Sequence, residues 1–276
     1  MDALGPTVCD PPYGMQAPPL LSRVWPAPTA LFARNSRQPK PLCCRLDGLP
    51  LEAGMLARLV LTPGEEQVWR SMRAVAKRRH EWLLGRAVAK DAVRMLVEEH
   101  AGVRLSPLDI GIQPDPYGRP QAVGSWTARL GVQPAISISH SHGTAVALAT
   151  LGRGPLVGID LENLDQPRES FEAIAFSPDE RDRLAAMPQE LRQEWALRLW
   201  CAKEGVAKAL GRGFSAGIQA FHITAAETGS GVVQLELRER ALDLFPHLRL
   251  ISIMAYTGRE QDLVYSTTIQ PQGAAE

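Results

Sequence analysis

Long apolar runs are missing from this sequence. None approaches the roughly 18 residues that a membrane-spanning helix needs, so no membrane partner is expected. The N-terminus lacks the basic segment and apolar core of a secretion signal. An excess of one charge is also missing. Thirty Lys and Arg balance thirty Asp and Glu, for a formal net charge of +0. A nucleic-acid-binding protein would carry a basic excess, so no nucleic acid is expected. Cysteine is sparse, with four residues at Cys9, Cys43, Cys44 and Cys201, and no CxxC pair to suggest a zinc site or a disulfide framework. These absences leave a reduced, cytoplasmic globular chain, and a monomer is expected.

Proline is plentiful where periodicity fails. Residues 1–50 ("CDPPYGMQAPPLLSRVWPAPTALFARNSRQPKP") read as a peripheral arm. Its Leu20, Leu21, Trp25, Leu31 and Phe32 are more apolar than a free linker needs, so some of them are expected to pack on the body. The arm is expected to be dispensable for chemistry.

Beyond residue 55 the text repeats itself. "LTPGEEQVW" and "FSPDERDRL" share a capped-helix grammar, with Thr62 and Ser177 lying 115 residues apart (177 − 62). "WLLGRAVAK" from Trp82 matches "WCAKEGVAK" from Trp200 at 118 residues, and "ISISHS" from Ile136 matches "ISIMAY" from Ile251 at 115. Three matches in order imply a duplicated unit. The expected class is α+β, with two pseudo-symmetric lobes, each a helix packed on a mainly antiparallel sheet. The first lobe is assigned to 51–155, the second to 156–270, and 271–276 to a tail. Helices are expected near 63–77, 79–100, 178–187 and 189–210. Strands are expected near 56–61, 109–113, 135–139, 144–150, 156–161, 218–224, 232–237, 248–256 and 262–268. A cleft between the lobes is a favoured ligand site.

Several clusters could carry chemistry. Asp160 and Glu162 in "GIDLE" share one face of a strand. Two such carboxylates suit a hard cation such as Mg2+, or else a solvent-facing turn. Lys203, Glu204 and Lys208 lie on one helix, with Gly205 among them at a cost of about 1 kcal/mol relative to Ala. Such a glycine often marks a close backbone approach. Glu204 and Lys208 can also be read as an ordinary surface ion pair. Ser139 and His140 sit at a strand-to-strand corner that suits a phosphate or a plain hairpin. Arg73, Lys77, Arg78, Arg79, Arg86, Lys90 and Arg94 form a local basic cluster, either a solvated face or a bidentate grip on phosphate.

Together these segments resemble the phosphopantetheinyl transferases of the surfactin-synthetase-activating type. The family reads approximately G-[KR]-P, S-H-S, G-[IV]-D-[IVL]-E and W-x-x-K-E-[SA]-x-x-K. Here these are Gly118-Arg119-Pro120, Ser139-His140-Ser141, Gly158 to Glu162, and Trp200 to Lys208. The similarity covers about residues 59–268. Gly205 departs from the usual Ser or Ala, the first capped helix is acidic, and the arm has no counterpart. "RRHEWLLGRAVAKDAVR" is similar to transferase domains associated with polyketide and polyunsaturated fatty acid synthases.

The resemblance implies a holo-[acyl-carrier-protein] synthase. Such an enzyme moves phosphopantetheine from coenzyme A to a serine of an apo acyl or peptidyl carrier protein and releases adenosine 3',5'-bisphosphate. It implies Asp160, Glu162 and Glu204 as Mg2+ ligands, and Glu204 and Lys208 as catalytic groups. Coenzyme A would be bound by Arg78, Arg79, Arg86, Arg119, Ser139, His140, Lys203 and Lys208. The alternatives are a non-catalytic carrier-binding paralogue, or another Mg2+-dependent enzyme of nucleotide pyrophosphates.

Overall fold

The computed structural model describes residues 19–26, 40–49, 51–152, 156–165 and 171–270. The first lobe holds strands β1 (Arg23–Val24), β2 (Leu42–Leu46), β3 (Gly111–Pro114), β4 (Pro120–Val123), β5 (Ala135–Ser141) and β6 (Thr144–Thr150). Its helices are α1 (Ala53–Val60), α2 (Pro63–Ser71), α3 (Ala76–Ala101) and the short α4 (Thr127–Leu130). The second lobe holds β7 (Leu156–Asn163), β8 (Phe221–Glu227), β9 (Val232–Leu237), β10 (Ile253–Glu260) and β11 (Leu263–Gln270). Its helices are α5 (Phe171–Ala175), α6 (Pro178–Ala185), α7 (Gln189–Leu210) and α8 (Arg240–Leu244).

Both sheets are antiparallel, and they repeat one topology. The first runs β1-β2-β6-β5-β4-β3 and the second β7-β11-β10-β9-β8. With β1 set aside, the two orders correspond strand for strand. The α+β class and the duplication are therefore present in the fold itself. Each lobe lays its long helix on its sheet and stops it at a left-handed glycine, Gly102 (φ 65) and Gly211 (φ 75).

The lobes share a buried latch. Glu65 Oε2 meets Lys90 Nζ at 2.6 Å, Lys90 also donates to Val60 O, and Ile112 N donates to Glu65 Oε1 at 2.9 Å. In the second lobe Glu180 Oε2 meets Lys203 Nζ at 2.8 Å, Lys203 donates to Ala175 O, and Ile223 N donates to Glu180 Oε1 at 2.7 Å. Each latch ties the capped helix to the long helix and to the following strand. Burial pulls both lysines down in pKa, and the paired glutamate opposes it. Such pairs persist because each ammonium is paired and both carboxylate oxygens accept hydrogen bonds.

The latch corrects the expected helix register. Trp82 and Trp200 match by letter, but Lys90 and Lys203, 113 residues apart (203 − 90), occupy the same place. Buried pairing, not residue identity, sets the alignment. The strand expected near 56–61 is helical, as α1: Glu52 caps it, and Leu56, Ala57 and Val60 bury one face.

Residues 42–46, assigned to the arm, form β2 and pair with β6 from Leu42–Ala149 to Leu46–Ala145. The run "LCCRL" lacks alternation because it is covered on both sides, with Cys44 in the core under α3 and Cys43 packed with Trp25. The first copy of the repeat thus starts before residue 50. Leu21 packs on the first-lobe core and Trp25 is buried, whereas Leu20 is exposed. Leu31, Phe32 and Cys9 lie outside the described residues.

The sheets meet where β5 runs beside β7. Ser137 Oγ accepts from Ile159 N at 3.0 Å, and Ser139 Oγ accepts from Leu161 N at 3.2 Å. Two hydroxyls at i and i+2 thus stand in for a backbone ladder.

Candidate active site

The seam between β5 and β7 gathers the polar groups. Asp160 on β7 is 4% exposed. Its Oδ1 accepts from Ser139 Oγ at 2.9 Å and from Lys208 Nζ at 2.6 Å. Lys208 also donates to Ser139 Oγ at 3.0 Å, closing a triangle. Burial drives the Lys208 pKa down, but the Asp160 charge and hydrogen bond, backed by the Glu204 charge, outweigh it and hold it above the ordinary value.

Two glycines bring α7 to this seam. A Cβ on Gly158 would lie 1.8 Å from Gly205 O, and one on Gly205 would lie 3.1 Å from Ser266 Oγ. The mid-helix glycine therefore marks the close backbone approach expected of it. Glu162, two residues past Asp160, accepts from Trp200 Nε1 at 3.2 Å. The Trp200 ring is held edge-on by Phe171 at 6.1 Å.

Above the triangle opens a cleft of about 430 Å³ between the lobes. Arg78, Arg86, Arg119, His140 and Lys208 line it, so four of the expected coenzyme-binding side chains join Lys208 there. Arg86 stacks on Trp82 at 4.1 Å, and its buried Nε has no hydrogen-bond partner. Burial lowers the Arg86 pKa, with Glu65 opposing. Arg119 is aimed by Asp115, whose Oδ2 accepts from Arg119 Nε at 2.9 Å. Gly211 leaves room for it, since a Cβ there would sit 2.2 Å from Arg119 Cδ. His140 Nε2 lies 3.4 Å from Arg78 and its Nδ1 lies 3.8 Å from Glu81. Burial lowers its pKa, Glu81 opposes, and Arg78 and Lys208 add to the lowering. The shift favours the neutral ring.

Two expected cleft residues are not brought there. Lys203 is fully buried in the second-lobe latch, so its ammonium cannot reach a ligand. Arg79 lies over the Trp69 ring at 4.7 Å, away from the cleft. Ser139 is nearly buried and serves Asp160 and Lys208 from beneath. Trp82, Tyr117 and Asp115 were not foreseen. Asp115 had a visible signal: in "DPYGRP" its Oδ1 accepts from Tyr117 N and Arg119 N, the short-range turn habit of Asp.

As to a metal, no group of three or more His, Cys, Asp or Glu side chains among the described residues is arranged to hold an ion. The Lys208 ammonium supplies the positive charge beside Asp160. The donors nevertheless fit a hard cation. Asp160 Oδ2 is buried and has no hydrogen-bond partner. Both Asp160 and Glu162 act on the buried Cys201 thiol, whose pKa is raised by burial first and then by these two charges. Carboxylate oxygens of this kind suit Mg2+.

Residues 156–258 match the family model described as ACPS, 4'-phosphopantetheinyl transferase superfamily. The chain is similar to the 4'-phosphopantetheinyl transferase HetI of Nostoc, at 31% identity over 121 residues, which is 43% of this chain and 50% of that protein. It is also similar to the 4'-phosphopantetheinyl transferase psf-1 of Bacillus pumilus, at 28% identity over 102 residues, 37% of this chain and 43% of that one. The chain thus spans about half the length of the curated relatives it matches. Among solved structures it is similar to the holo-[acyl-carrier-protein] synthase of Helicobacter pylori in complex with coenzyme A. The identity is 24% and the TM-score 0.29, over 36% of this chain and 82% of that one. A second is the corresponding synthase of Neisseria meningitidis, with 24% identity and a TM-score of 0.30.

Proposed function

We propose that this chain transfers phosphopantetheine from coenzyme A to a serine hydroxyl of an apo acyl or peptidyl carrier protein. The observation that supports it most is the Asp160–Lys208–Ser139 triangle at the floor of a basic cleft, with Asp160 and Lys208 in the segment that matches the transferase superfamily. Arg78, Arg86, Arg119 and His140 bind the phosphates and the nucleotide end in this reading. Neutral His140 donates a hydrogen bond without adding charge.

Asp160, Glu162 and Glu204 are the residues that would hold Mg2+. When bound, the ion would neutralise the pyrophosphate and stabilise charge on the transferring group. Glu204 takes the proton of the carrier serine as its oxygen bonds to the pantetheine-side phosphorus. The bond from that phosphorus to the bridging oxygen breaks. The electron pair leaves with adenosine 3',5'-bisphosphate, whose phosphate is met by the Lys208 ammonium. Asp160 and Ser139 keep that ammonium charged and aimed.

The test is incubation with a panel of apo carriers, coenzyme A and Mg2+, followed by mass spectrometry. The expected result is a carrier heavier by one phosphopantetheine, with adenosine 3',5'-bisphosphate released and no gain in chelator. Cleavage of coenzyme A without carrier modification would overturn the proposal.

A further inference from the structure

Because both lobes share one topology, Asp160, Glu162, Glu204 and Lys208 each have a counterpart in the first lobe. The hairpin turns His142-Gly143 and Gln261-Asp262 match, and both His142 (φ 49) and Gln261 (φ 56) adopt left-handed backbone. Ala147 and Ser266 lie equally far past them and pair with Cys44 and Asp160. Cys44 thus stands where the second lobe has Asp160, and Leu46 where it has Glu162. Counting along the helices from the latch lysines, Asp91 stands for Glu204 and Met95 for Lys208. The contact survives the change of chemistry: Cys44 Sγ lies 3.9 Å from Met95 Sδ, where Asp160 meets Lys208.

One carboxylate remains in this second frame, and it is occupied. Asp91 Oδ2 accepts from Leu21 N at 2.8 Å and from Ser22 N at 2.9 Å, while Arg94 bonds Oδ1 at 3.0 Å. Past this point the segment pairs as β1 with β2, and Trp25 is buried against Cys43, with its ring 4.3 Å from that of Tyr265.

We infer that the first lobe carries a second copy of the active-site frame, and that this copy is a docking seat filled by the chain's own residues 21–25. A carboxylate placed to hold a ligand holds two backbone N–H groups instead. Sulfur and leucine fill the positions of the other charged groups. The chain is thereby left with one working site from two equivalent frames.

The test is amide hydrogen exchange on the full chain, which needs neither coenzyme A nor carrier. Leu21 and Ser22 N–H should exchange on the order of 100-fold slower than in an unstructured peptide. Asp91→Asn should speed these two amides by about tenfold or more while those of α7 stay slow. Exchange of Leu21 and Ser22 at the unstructured rate in the unaltered chain would overturn the inference, as would an Asp91→Asn chain with unchanged protection. Should Asp91→Asn fail to fold, Trp25→Ala decides through the buried thiols. Burial pushes the Cys44 thiol up to about 12, with a Ser22 hydrogen bond opposing and Asp91 adding to the rise. Opening the seat should speed iodoacetamide labelling of Cys43 and Cys44 by about tenfold, with Cys201 as the internal control. Equal labelling in both chains would overturn the inference.

Discussion

Among the described residues the lobes touch along two seams, and the seams differ in what their charges are free to do. At the β5–β7 seam, Asp160, Lys208 and two serines face a cleft rimmed by Arg78, Arg86, Arg119 and His140. At the other, Trp25 packs on Tyr265, while Arg23 and Arg45 both pair with Glu260. A depression of about 470 Å³ on the second lobe, reached by Arg259 next to Glu260, is lined also by Asp165, Glu190, Glu194 and Asp262. Even the rim pairs correspond. Glu81 faces His140 at 3.8 Å, and Glu194 faces Arg259 at 2.9 Å. One seam keeps basic groups open to a polyanion; the other satisfies its charges internally and carries an acidic rim that repels one. Duplication conserved the latches and let the seams diverge.

The strongest way to break this comparison is through the latches. Lys90→Ala and Lys203→Ala should each cost about 3–5 kcal/mol, because each leaves a glutamate buried without its cation. Chemical denaturation measures both, and a loss confined to one lobe would show that the latches are not equivalent. Next, Asp160→Cys and Lys208→Met give the second lobe the chemistry of the first. Carrier modification should fall by about a hundredfold or more for each, read from rates of mass gain, while Met95→Leu leaves the rate unchanged. Ser139→Ala should cost about 1–3 kcal/mol, since Leu161 N loses its buried acceptor. That loss of melting temperature should exceed the loss from Ser141→Ala, whose hydroxyl bonds the ring of its exposed neighbour His142 at 3.1 Å.

The smallest effect concerns pH. Folding lowers the His140 pKa beneath its unfolded value of about 6.5. A depressed histidine contributes stability above the unfolded pKa and loses it as pH falls through the folded one. His140→Asn should therefore flatten the fall in melting temperature between neutral pH and pH 5, an effect within about 1 kcal/mol. An unchanged slope would show that the ring is not held neutral.

Much of the second lobe was readable in the chain because its elements are regular. The helix over 189–210 and the strand over 232–237 occur with those bounds. Carboxylates two apart on β7 and a Glu–Lys pair four apart on α7 put their side chains on predictable faces. Neighbouring positions were not so easily assigned. Lys203 precedes Glu204 by one residue, about 100° round the helix, which turns it into the core and toward Glu180. Arg79 follows Arg78 in the same way, and the row continuing through Trp82 to Arg86 is the one that faces the cleft. β2 stayed hidden because a strand covered on both sides has no alternation, and its partner β6 lies about a hundred residues later in the chain.

The seating of Trp25 also has a consequence in time. Its indole N–H bonds Glu260, a residue 235 positions later. At translation rates of about 5–20 residues per second, Glu260 follows Trp25 by roughly 12 to 47 seconds. Throughout that interval the indole N–H lacks this acceptor, and the ring lacks its neighbour Tyr265. The earliest described stretch to be synthesised is thus among the last to settle, and its burial is a signal that the final hairpin has been made.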